Sequence, residues 1–278
     1  LRQLKGSSSE KKQQSCVNRF VDEYINTLKT YFIKGIRDGE QVYNCFLEMK
    51  KIRDIFLEFV SVLSETMLPF SEIICDTFEK MYNTLTCAKG FDQNAMSASD
   101  SDYEIYHIHI WELFICVIAY LRHIQDYKAI NDMLTNTYFL TSSCLDSTVS
   151  ATNYCRFRYH SHMIEENYKP RTEHKNKFTL LGYTLCCERE KLPIFTGEAI
   201  AEADLFLYQV RNGLELAENE NCYGDSYWFP TCYVYVKNLP NEWTRLKSRK
   251  FCQKMFALFG VTDLEALKGR LSKCVYNR

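Results

Sequence analysis

The chain has 278 residues, with 34 Lys and Arg against 35 Asp and Glu for a net charge of −1; 46% of residues are hydrophobic, 14% aromatic and 25% charged. Extended disorder is excluded by that balance, and 10 Gly with 5 Pro exclude collagen-like and Pro-rich linker classes. A pI near 6.7 leaves no global field that would draw nucleic acid or an anionic membrane.

Residues 1–15 (LRQLKGSSSEKKQQS) lack the apolar run of a secretory signal and are expected to be a flexible polar tether, and a start at Leu1 points to an excised or trimmed segment. Val17, Phe20, Val21, Tyr24, Ile25, Leu28, Tyr31 and Phe32 recur at spacings of three and four, which predicts one face of a helix that ends before Gly35. Val42, Phe46, Met49, Ile52, Phe56, Phe59 and Leu63 extend the same rule into one long amphipathic helix. Pro69 forces a break, after which Ser71 and Glu72 lead into a third helix through Ile73, Ile74, Phe78, Met81, Tyr82 and Leu85. Residues 89–102 (KGFDQNAMSASDSD) are expected to form an exposed loop.

Residues 103–127 follow as the central helix of a bundle, because residues 111–121 (WELFICVIAYL) are apolar almost all round, with Glu112 the interruption. That run of 11 residues is shorter than the ~20 residues of a membrane helix, so no membrane partner is expected. A short helix over 129–140 closes a helical bundle spanning 16–140. A linker over 141–152 would then lead to a second, mostly helical unit at 153–278.

In that second unit Thr196 can cap free amides and Glu198 suits the positive end of a helix dipole, which predicts a helix to about Glu218. Tyr233, Val234, Tyr235 and Val236 predict a short β segment near 231–236. A helix over 245–258 is stopped by Gly260, and Thr262, Asp263 and Leu264 begin the last one. The expected fold class is mainly α.

Thirteen cysteines form an odd set without any Cys-x-x-Cys, spread from Cys16 to Cys274, which suits reduced thiols and a cytoplasmic setting. Zinc would have to draw on Cys155, His160, His162, His174, Cys186 and Cys187, a set without the close ligand pairs such sites use; no metal and no cofactor is expected. His107 and His109 flank Ile108 and read as hydrogen-bonded structural residues. No phosphate-binding glycine loop, GxSxG elbow or HExxH helix occurs, which argues against an NTPase, a Rossmann oxidoreductase and a serine hydrolase.

Arg156 and His162, with His160 between them in RFRYHSH, resemble the Arg-x(4–6)-His motif of HEPN-type ribonucleases. The resemblance implies metal-independent RNA cleavage, the Arg and His activating the 2′-hydroxyl and stabilising the phosphorane charge. Phe157 stands where such enzymes carry a polar residue. Charge is uneven further on. Residues 198–225 hold seven acids against Arg211, a net of −6, whereas residues 237–254 hold six bases against Glu242, a net of +5. The two segments either attract each other inside one domain or, with Tyr233, Tyr235 and Trp243 as stacking platforms, make a nucleic-acid surface.

Trp228-Phe229-Pro230, Tyr233, Tyr235, Ser248-Arg249, Phe259-Gly260 and the helix from Leu264 resemble C-terminal segments of large bacterial antiviral-defence proteins, in which a helical sensor or assembly region follows a nucleotide-binding or nuclease domain. The resemblance covers residues 228–278 and implies no catalytic residue. Together these observations favour a non-catalytic helical interaction or sensor module of a larger cytoplasmic protein. Its expected partner is another protein or the rest of its own parent chain, bound through Tyr227, Trp228, Tyr233, Tyr235, Trp243, Arg245, Lys247, Arg249 and Lys250. The alternative is a HEPN-like ribonuclease or nucleic-acid binder built on Arg156, His160 and His162.

Overall fold

In the computed structural model, which describes residues 1–6, 9–33, 35, 38–87, 91, 100–142, 148–189, 194–215, 227–235, 242 and 245–274, the spacing of apolar residues becomes helices that bury those same residues. Of the described residues 73% are helical, a mainly α fold. They divide into two units: Leu1–Phe114, Asn136–Thr152 and Tyr159–Lys175 make the first, and Ile115–Thr135, Asn153–Arg158 and Asn176–Arg278 the second. The chain therefore passes between units several times, where a single linker over 141–152 was expected.

The first unit begins with α1 (Arg2–Gly6) and α2 (Glu10–Lys29), so the expected tether is helical on both sides of residues 7–8. Leu4, the one large apolar side chain in that polar stretch after Leu1, is buried, and Arg19 donates to the Gln3 side chain at 2.6 Å. The long helix expected from Val42 onward is two, α3 (Gly39–Glu48) and α4 (Lys50–Ser64), joined at the fully buried Met49. Asp38 caps α3 by accepting from the Glu40 amide at 3.0 Å. α5 (Phe70–Leu85) starts immediately after Pro69.

α6 (Glu104–Ile124) is the expected central helix, and every residue from 108 to 122 is buried. Taken with the turn before it, Ser101–Ile124 is long and apolar enough to cross a bilayer by length and composition, yet 94% of its most apolar window is buried within the fold. That is the situation of a core helix. Glu112, which interrupts the apolar run, accepts from Arg53 at 3.2 Å, and the neighbouring His109 pairs its Nε2 with the Tyr24 hydroxyl at 2.9 Å. Burial, followed by the Glu112 charge, raises the Tyr24 hydroxyl well above its ordinary pKa, so it stays protonated. His107 lies between the rings of Tyr82 (5.3 Å) and Tyr159 (4.9 Å).

After α7 (Tyr127–Thr135), the segment expected to remain helical to residue 140 turns into β1 (Tyr138–Thr141), which pairs antiparallel with β2 (Val149–Thr152) from the expected linker. Helix α5 supplies what β1 needs along its free edge. Asn83 donates to the Phe139 carbonyl (2.8 Å) and accepts from the Thr141 amide (2.9 Å), while Glu79 accepts from the Phe139 amide (2.8 Å). A helix side chain thereby covers an otherwise unpaired edge.

A single π turn, Met163–Tyr168, packs against α3 in this unit, and Gly39 sets their spacing. A Cβ at Gly39 would collide with the Met163 carbonyl oxygen and stand 2.7 Å from Tyr168 Cβ. Gly39→Ala must push the π turn away. The expected loss is about 1–3 kcal/mol of stability, as for overpacking elsewhere, seen as a lowered urea midpoint; an unchanged midpoint would show that the turn yields freely.

The second unit contains the end of α6, α7, α8 (Leu180–Tyr183), α9 (Gly197–Glu215), α10 (Arg249–Phe256) and α11 (Leu264–Cys274). Thr196 caps α9 by accepting from the Ala199 amide at 3.2 Å. Gly260, in the left-handed region at φ 59°, ends the helical run after Phe259, and Asp263 caps α11 by accepting from the Ala266 amide at 2.9 Å. The expected β segment near 231–236 is instead one 3-10 turn, Tyr233–Tyr235, with residue 236 outside the described set. Its residues favour strands, but no described strand pairs with it, and propensity alone supplies no ladder.

Candidate functional site

Helix α9 turns a carboxylate inward. Asp204 shares its face with Ile200, Ala201 and Leu207, all buried, and is itself fully buried. It accepts from Trp228 Nε1 at 2.8 Å and from the Cys232 amide at 2.7 Å, which fixes residues 227–235 against the helix. Burial raises the Asp204 pKa to about 6, and the bonds from Cys232, Trp228 and Thr231 only partly oppose that shift. Burial likewise lowers Arg158, against the opposing charge of Asp204.

The far end of the segment is held by the start of α8. Thr179 caps that helix through the Gly182 amide (3.0 Å), and its carbonyl accepts from the Tyr235 hydroxyl (3.0 Å). Cys186 and Cys232 are hydrogen-bonded to each other, and that bond, then burial, raises the Cys232 thiol well above its ordinary pKa. A thiol held protonated in this way is a poor nucleophile.

With Trp228, Cys232 and Tyr235 tied inward, the side chains left outward are Phe229, Tyr233 and Val234, joined by Phe178, which is 53% exposed and meets the Tyr233 ring edge-on at 5.8 Å. One cation borders this set, the Arg158 guanidinium over Phe229 at 5.6 Å, and Lys177, next to Phe178 in the chain, places its ammonium over the half-buried Tyr183 at 4.1 Å.

The expected binding residues separate on this geometry. Tyr233 lies at the aromatic surface, whereas Tyr235 is half-buried with its hydroxyl turned in to the Thr179 carbonyl. Trp228 does not belong to it, being fully buried because its indole N–H is spent on Asp204. Tyr227 is half-buried with its ring 5.7 Å from Tyr208, and Trp243 lies outside the described residues. Arg245 covers the Phe251 ring at 4.4 Å and donates to Gln125 at 3.2 Å, an intramolecular role, whereas Lys247, Arg249 and Lys250 are exposed. Phe178 and Phe229 were missed; a Phe next to Lys177 and another beside a buried Trp carry no periodic signal of exposure.

Arg156 sits in the 3-10 turn Tyr154–Phe157 of the second unit, while His160 and His162 belong to the first. His160 and His162 flank Ser161, whose buried hydroxyl donates to Glu104 and accepts from the Ile164 amide at 3.0 Å. On either side of the inward Ser161, His162 is exposed and His160 half-buried, with ring centroids 5.0 Å apart. Glu166, four residues on, brings Oε1 to 2.8 Å from His162 Nδ1. Sequence reading paired the histidines with cysteines and passed over Glu166, although an i,i+4 relation to His162 was there to be seen.

No protein-family model, curated protein or solved structure matches the chain.

Proposed function

We propose that the chain is a non-catalytic helical interaction module of a larger cytoplasmic protein, of the antiviral-defence kind that residues 228–278 resemble, and that it holds a protein partner on the aromatic surface of its second unit. The observation that carries the reading is the outward set Phe178, Phe229, Tyr233 and Val234, fixed in place by inward anchors on the same segment. Rigid aromatic rings edged by cations are the composition that interface centres favour. Arg158 and Lys177 at the border suit a partner segment with an apolar anchor flanked by Asp or Glu.

Selection of a random peptide library on the purified chain tests this. Enriched peptides should combine apolar and acidic residues, and Phe178→Ser with Tyr233→Ser should weaken them by about 30-fold or more, the effect of losing aromatic hot spots, with little change in melting temperature. Peptides that bind the double variant equally well would overturn the reading. So would RNA cleavage in metal-free buffer that His162→Ala abolishes, because that is the behaviour of the ribonuclease alternative.

A further inference from the structure

From the same first-unit turn, and independently of the aromatic surface, we infer that His160, His162 and Glu166 form a binding site for a divalent transition-metal ion of the zinc class. One donor atom from each residue lies within 4.8 Å of the other two. His162 Nδ1 and Glu166 Oε1 are already 2.8 Å apart. Metal–ligand distances of roughly 2.0–2.2 Å at a tetrahedral centre separate donors by about 3.4 Å, so His160 has at most about 1.4 Å to close. His162 and Glu166 are 73% and 63% exposed and can make that adjustment by side-chain rotation.

The backbone beneath the three is fixed. Ser161 is fully buried and bonded to Glu104, which also accepts from the Met163 amide; Ile164 and Glu165 are buried, and Lys169 neutralises Glu165 at 3.3 Å. Two imidazoles and one carboxylate select zinc, nickel, cobalt or copper over calcium and magnesium, which take oxygen donors. Three protein donors leave at least one coordination position for water, as in open rather than structural sites. Binding replaces the His162–Glu166 hydrogen bond by two metal bonds and displaces any proton held between them.

Titration of the purified full chain with Co2+, followed by absorption, tests the assignment. One equivalent should bind with weak visible bands and without the intense near-ultraviolet absorption of cobalt–thiolate bonds, and Zn2+ should displace it. His162→Ala and Glu166→Gln should each weaken binding more than the roughly 10–100-fold that loss of an outer-shell partner costs. His174→Asn should leave it unchanged, and the circular dichroism of all three should match the parent. No saturable uptake, uptake indifferent to His162 and Glu166, or a thiolate absorption placing the cobalt on cysteines would each overturn the assignment.

Discussion

Arg122→Met is expected to lower the free energy of unfolding at neutral pH by about 3–5 kcal/mol, the range for stripping one partner from a buried ion pair. Arg122 ends α6 and is buried. Its Nε and Nη2 donate to the two oxygens of Glu242, each at 2.7 Å, and Nη2 also donates to Glu202 at 3.0 Å. Tyr127 adds a third donor to Glu242 at 3.1 Å. Burial by itself would lower the Arg122 pKa; the bonds and charge of Glu242, then of Glu202, outweigh it and leave the guanidinium raised. Methionine fills the space over Phe206 but strands two carboxylates without a cation. Glu242→Met should cost less, since Arg122 keeps Glu202. Arg122→Met with Glu242→Met should recover much of the single-variant loss, because an apolar replacement of a whole pair avoids the desolvation that the ions incur. Urea unfolding of the four proteins gives the cycle; additive losses would mean that the pair is not a coupled unit.

The distance along the chain explains which features could be read in advance. The burial of residues 108–122, the Thr196 cap and the Gly260 stop are local: each depends on side chains within a few positions, and each was legible. Arg122 and Glu242 are 120 residues apart, and nothing near either announces the other. The hairpin was missed for the same reason, since β1 is specified by Asn83 and Glu79 of α5, nearly sixty residues upstream. Trp228 was misplaced because an aromatic-rich stretch looks like a surface until its hydrogen-bond partner is found. The signal that could have found it was Asp204, an acid on the apolar face of α9, which must be hydrogen-bonded or protonated to remain there. The His160, His162 and Glu166 cluster was half legible: the two histidines were singled out, but their common direction depends on Ser161 being held by Glu104.

Asp204 also sets a pH dependence whose sign can be fixed. Its carboxyl titrates at about 6 in the folded protein, above its ordinary value of 3.8, so the folded state holds the proton more tightly than the unfolded chain. Below pH 3.8 the group is protonated in both states and contributes no penalty. As pH rises from there to about 6 the unfolded chain ionises first, and stability falls by 1.36 kcal/mol per unit, roughly 3 kcal/mol in all. Asp204→Asn has no such slope. It also replaces one accepting oxygen with an NH2 group facing either Trp228 Nε1 or the Cys232 amide, a donor against a donor, at a pH-independent loss of about 1–3 kcal/mol. The variant should therefore be less stable than the parent near pH 4 and draw level with it, or pass it, by pH 7. Glu104 and Glu202, which burial also raises, titrate alike in both proteins and cancel in the difference. Urea unfolding across that range measures it directly. A parent-minus-variant difference that stays constant with pH would mean that Asp204 is ionised in the fold throughout, with Trp228 and Cys232 stabilising the charge enough to offset its burial.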